Sequence, residues 1–190
     1  MILRPSFGWL LSTALLVVAS PSSAQTPSRF AVGAGYTYTR TNLLPGCRCV
    51  SMNGGNAEAQ FALSPRWSLL GSADVVHRGG LTPEGYALTQ ATYTGGVRWF
   101  ANSTAAALRP FAEVSGGGAH ASGTLAPANS GVGGSNNSYA FSAGGGLEAP
   151  LGQHLLFLPL EAHYLRTGFA NTAANAQNDL RIEVGLLFRF

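Results

Sequence analysis

Three sets of residues in this chain have types and spacings that could do chemistry. His120-Ala121-Ser122 sets an imidazole and a hydroxyl two residues apart. On an extended strand they share one face, as the base and nucleophile of an acyl transfer would. A carboxylate would have to orient the His, and Glu113 on the same stretch has the opposite parity. Cys47-Arg48-Cys49 holds both cysteines of the chain. An even cysteine count in an exported protein usually means pairing, so a disulfide staple is expected even though a ring over one residue is strained. Free thiols are the alternative, and metal binding lacks a nearby His. The third set is a scatter of single ions: Glu58, Asp74, Arg98, Glu113, Glu148, Glu161, His163, Arg181, Glu183 and Arg189. They can act together only if the elements carrying them turn them all one way.

What those elements are is bounded by composition. Charged residues make up 10% of the chain, there is no Lys, and Gly occurs 25 times, against a usual charged share of about 25%. A water-exposed surface cannot be built from so few charges. The arginines are scattered singly and the net charge is only +3, which leaves no footprint for nucleic acid. No later segment reaches the run of about 20 apolar residues that a membrane helix needs. Residues 1–24 read as an export signal, with Arg4 ahead of the apolar stretch Phe7 to Ala19 and Ser22-Ser23-Ala24 before the cut. The mature domain is then expected over 25–190.

Within it, side chains alternate with period two, the mark of half-buried strands. Phe30 to Thr39 sets Phe30, Val32, Ala34, Tyr36 and Tyr38 against Gly and Thr. Further strands are expected at about Asn56 to Leu63, Trp67 to His77, Tyr86 to Phe100, Arg109 to His120, Tyr139 to Ala149, Leu155 to Arg166 and Leu180 to Phe190. On the seventh, Leu156, Leu158, Leu160, Ala162 and Tyr164 are expected on the apolar face, opposite Glu161 and His163. On the last, Ile182, Val184, Leu186, Phe188 and Phe190 oppose Arg181, Glu183 and Arg189, with Leu187 as a large apolar residue on the polar face. Long connections are expected at about 40–55, 78–85, 121–138 and 167–178, and short ones near 65 and 152. Residues 101–108 read as a short-side turn of unusual length. The runs Gly116 to Gly118 and Gly144 to Gly146 precede no helix, so they are not phosphate loops.

Eight strands with alternately short and long connections predict an all-β, antiparallel, up-and-down transmembrane barrel. The face made of Gly, Ala, Ser and Thr with isolated ions suits a crowded lumen, and the apolar face suits lipid. The scattered ions would then form a charge-paired network plugging the barrel, since eight strands leave room only for their own side chains. With its signal, its strand count and the ending Val184-Gly-Leu-Leu-Phe-Arg-Phe190, the chain resembles the small eight-stranded outer-membrane barrels of the OmpA/OmpX type. That resemblance implies a Gram-negative outer-membrane location, lipid and lipopolysaccharide as surroundings, and insertion machinery that reads Phe188 and Phe190. It implies no shared catalytic residue, cofactor or metal, a single copy, and a structural or loop-mediated role toward an unidentified external ligand. A narrow conductance barrel is the alternative. The His120-x-Ser122 pair is similar to that of the lipid A deacylases, also eight-stranded barrels, but no Asn follows Ser122, so a lipid-modifying enzyme is the weaker reading.

Overall fold

The computed structural model describes residues 29–44, 48–81, 85–101, 107–124, 133–170 and 175–190; the expected signal segment lies outside them. Eight strands follow one another: β1 Phe30–Leu44, β2 Arg48–Ala62, β3 Trp67–Arg78, β4 Leu88–Phe100, β5 Arg109–Thr124, β6 Gly133–Pro150, β7 Leu155–Thr167 and β8 Gln177–Arg189. Each pairs antiparallel with the next, and β8 returns to β1 from Ala31↔Arg189 to Arg40↔Leu180. The barrel is closed, so no strand edge is left with unpaired backbone groups, the condition for a sheet to stand in lipid.

The end that carries Phe30 and Arg189 has tight turns with identifiable chemistry. Ser64 Oγ accepts the backbone N–H groups of Arg66 and Trp67 at 3.3 and 3.1 Å, and Gly152 stands at φ 126° in the turn between β6 and β7, a conformation that only glycine adopts without strain.

The sheet is polar inside and apolar outside. Trp67, Leu69, Val114, Leu186 and Phe188 are all exposed. Rings of aromatics bound this apolar band. Phe30, Trp99, Phe188 and Phe190 lie at the turn end, where Phe188 and Phe190 pack edge to face at 5.2 Å. Tyr36, Tyr93, Tyr139 and Tyr164 lie toward the other. Beyond the tyrosines the outward face becomes polar, with His77 bonded to Thr89 and His120 to Asn137. A water-soluble barrel would carry the opposite arrangement.

Three expectations need correction. The long connections at 40–55 and 121–138 are mostly strand: β1 and β2 stay paired to Leu44↔Arg48, and β5 and β6 to Thr124↔Gly133. Apolar alternation fades there because the outward face turns polar while the inward one keeps Thr41, Met52 and Ala121 buried, and the backbone ladder does not require it. His120 and Ser122 therefore sit within β5 and not at a loop start. Cys49 likewise lies on β2, exposed and with a free thiol; Cys47 lies outside the described residues.

The third correction is at β7. Leu156 and Leu158 point inward, each 2% exposed, while Leu160 is half exposed. The register with β8 slips by one residue between Leu158 and Glu161, and that with β6 between Leu147 and Ala149. One extra residue in β7 puts both Leu158 and Glu161 inside. Pro159 supplies the reason: it has no N–H for the ladder and is tolerated in a sheet at a bulge.

Candidate functional site: a plugged lumen

Inward parity brings the single ions of seven strands, β2 to β8, into one column. Seven of the chain's eight acidic residues point inward: Glu58, Asp74, Glu113, Glu148, Glu161, Asp179 and Glu183. They meet four arginines, 98, 109, 181 and 189.

At the turn end, Ala31, Phe100, Phe111, Leu156, Leu158 and Leu187 form an apolar floor. Two arginines lie against it. Arg109 stacks on Phe100 at 3.8 Å, binds Glu148 at 2.6 Å and donates to the Pro65 carbonyl at 3.2 Å. Arg189 reaches the same Glu148 oxygen at 4.0 Å.

Above the floor stands the central layer. Arg98, fully buried, stacks on Phe111 at 4.0 Å and donates to three glutamates at once. Its Nε meets Glu113 at 2.7 Å, its two terminal nitrogens grip Glu58 at 2.9 and 3.0 Å, and Nη2 also reaches Glu161 at 3.0 Å. The planar fork of a guanidinium allows this shared grip where an ammonium would not. His163 lies beside it, with Nδ1 3.4 Å from Glu113 and Nε2 at 3.7 Å from Glu161 and 3.8 Å from Glu183. Gly144 is the Cα partner of His163, and a Cβ there would sit 2.6 Å from the ring nitrogen and 2.3 Å from the Ala162 carbonyl. The His fits because that position is bare.

Higher still, Arg181 binds Asp74 at 2.8 Å and donates to the Thr92 hydroxyl, which itself donates to Asp74. Gln90 donates to Asp179 at 3.4 Å. Ala119, Ala121, Ala140, Leu165 and Phe169 then cap the column with a second apolar cluster. Phe169 belongs to the connection after β7 and is tied down by Gln177, whose amide donates to its carbonyl at 2.9 Å. Between the two apolar clusters Arg98, Glu161, His163, Asp74 and Arg181 are buried, while Arg189 at the turn end keeps 27% of its side chain exposed.

The structure thus gathers Glu58, Arg98, Glu113, Glu161, His163 and Glu183 into one layer, Asp74 and Arg181 into the next, and Glu148 with Arg189 beneath. Sequence reasoning missed Arg109 and Asp179. Both share the parity of network members on their own strands, Glu113 and Arg181, which is the signal that could have found them. They escape it because they stand at or just beyond the expected strand ends. His120 and Ser122 point outward, away from this column, and the orienting partner of His120 is Asn137 at 2.7 Å, not Glu113 inside.

No protein-family profile and no curated protein sequence matches the chain. Among solved structures it is similar to Ail, the attachment invasion locus protein of Yersinia pestis, at 16% identity over 86% of this chain and 99% of that one, with a TM-score of 0.60. It is also similar to Neisserial surface protein A, at 13% identity over 85% and 97% of the two chains and a TM-score of 0.64. Outer membrane protein OprG from Pseudomonas aeruginosa matches at 12% identity over 86% and 96%, with a TM-score of 0.57. At such identities the likeness is one of fold. The fold is that of the small eight-stranded outer-membrane barrels. An antiparallel barrel with an apolar exterior, aromatic rings and an ionic interior is built for a bilayer, and the outer membrane is where bacterial barrels of this kind stand.

Proposed function

We propose that this outer-membrane barrel serves a structural or interaction role at the cell surface, through the polar hairpin ends that rise beyond its tyrosine ring, and that it is neither a porin nor an enzyme. The carrying observation is Arg98, fully buried and bonded to three glutamates from three other strands, β2, β5 and β7. That tie crosses the space a channel would need, and general porins use 16 to 18 strands to open one.

Its partners in this reading are outer-membrane lipid and lipopolysaccharide around the apolar band, insertion machinery recognising Phe188 and Phe190, and an external ligand at the hairpin ends. The barrel works as a single copy. Ail has been crystallised with the heparin analogue sucrose octasulfate, which makes sulfated polysaccharide a first ligand class to try. The acyl-transfer reading is weaker, because His120 is held by an amide and the inward Glu113 cannot reach it.

Purified barrel in a planar bilayer tests the proposal. No steady, large conductance is expected from the wild type, and Arg98→Ala should loosen the plug enough to raise brief openings. A large, steady wild-type conductance that Arg98→Ala and Glu148→Gln leave unchanged would replace this reading with transport.

A further inference from the structure

The central layer carries more negative charge than its arginine can balance. Three glutamates, 58, 113 and 161, surround one arginine, and a fourth, Glu183, stands beside them on the other side of His163. Glu183 is met by the Thr37 hydroxyl at 2.8 Å, and its only ion-pair neighbour among the described residues is His163. Glu161 and Glu183 are direct Cα partners across β7 and β8, an arrangement of like charges that weakens a sheet unless something lies between them.

His163 is the group between them. It is 3% exposed, and its Nε2 has no hydrogen-bond partner. The carboxylate oxygens nearest that nitrogen are 3.7 Å away on Glu161 and 3.8 Å away on Glu183. Those spacings are too long for hydrogen bonds. They are close to the separation of two ligands on one metal ion, about 3.3 Å for tetrahedral bonds of about 2.0 Å. One ligand atom from each of Glu113, Glu161 and His163 lies within 4.8 Å of the others.

We propose that the lumen holds one divalent cation of the zinc class, bound by His163 Nε2, Glu161 and Glu183, with Glu113 on the Nδ1 side of the ring, where it can orient the imidazole. Imidazole nitrogen with carboxylate oxygen is a donor set for zinc and its transition-metal neighbours, whereas calcium and magnesium take oxygen alone. The ion would offset two of the layer's excess charges and tie β7 and β8 together from inside. Its role is structural. Binding to a site that exists only in the folded barrel adds to the stability of the fold.

The test refolds metal-stripped barrel in detergent with Co2+ present throughout, so that access to the sealed lumen is not limiting. The expected result is one Co2+ per folded barrel with visible absorption bands, lost when Zn2+ competes during refolding and kept when Mg2+ does. His163→Gln should abolish the bands and His120→Gln, outside the lumen, should retain them. Glu183→Gln should weaken binding about tenfold, one ligand among three, and serves if His163→Gln fails to fold, which the mobility of unheated protein on a denaturing gel reports. Wild-type barrel that folds with no stoichiometric Co2+, or binding undiminished in both His163→Gln and Glu183→Gln, would overturn the proposal.

Discussion

The ionic layer around Arg98 and the apolar floor beneath it share one lumen and are held by opposite rules. The floor of Ala31, Phe100, Phe111, Leu156, Leu158 and Leu187 is held by volume, so each member contributes in proportion to the space it fills and losses are graded. The layer above is held by reciprocal charge, where each member is tolerable only because the others are present. Arg98 joins the two by lying on Phe111 with one face and gripping carboxylates with its edge. Failure of the floor should therefore leave a softer barrel, and failure of the layer a broken one.

The largest effect is expected from Arg98→Ala. It leaves Glu58, Glu113 and Glu161 without their shared cation, and removing one partner of a buried ion pair costs about 3–5 kcal/mol. Urea unfolding in lipid vesicles should show this loss, together with poor refolding. A loss under about 1 kcal/mol, the range of exposed ion pairs, would mean that the layer is hydrated and the contrast with the floor is false.

Leu158 probes the floor. Leu158→Ala should cost about 2–5 kcal/mol, the range for emptying a buried aliphatic site, with m-value and insertion unchanged. Facing can be read separately by cysteines placed singly at 158 and 160. A lipid-soluble thiol reagent should mark 160 and spare 158. The reverse pattern would remove the bulge at Pro159 and with it the floor as described.

The smallest effects separate the lumen from the lipid face. Gly71 points outward, and a Cβ added to it would meet nothing within 4 Å, so Gly71→Ala should change stability by no more than about 0.5 kcal/mol. Gly144→Ala pushes on the Ala162 carbonyl and His163 and should cost about 1–3 kcal/mol, as overpacking does. Equal effects at the two sites would show that the lumen is looser than its contacts imply.

How much could be read beforehand differs between these two regions for one reason. On β2 to β6 and on β8, parity runs unbroken through the lumen, so Glu58, Asp74, Arg98, Glu113, Glu148, Arg181 and Glu183 could be placed on one face from spacing alone. Even Leu187 announced itself as an apolar residue of inward parity, and it is 1% exposed in the floor. Leu156 and Leu158 could not be placed, because a bulge shifts parity by one and every residue on its far side changes face. Pro159 marked the spot without saying whether the slip would occur before or after Leu158. Cys49 and His120 look like loop residues in the sequence because polar strands beyond the lipid have no apolar outward face to show.

By itself the sequence determined the class: period-two alternation, a near absence of charge on one face and eight repeats of the pattern specify a closed sheet in a membrane, since nothing else satisfies that backbone in lipid. Which ions meet was decided only in three dimensions. Arg98 and Glu113 are neighbours across β4 and β5, but Glu58 reaches the same guanidinium from β2, two strands away, and Glu161 from β7 across the lumen, over distances set by strand number and stagger. The sequence places residues on a face. Closure of the sheet decides which of them share a layer, and whether their charges add up to a balance or to an excess.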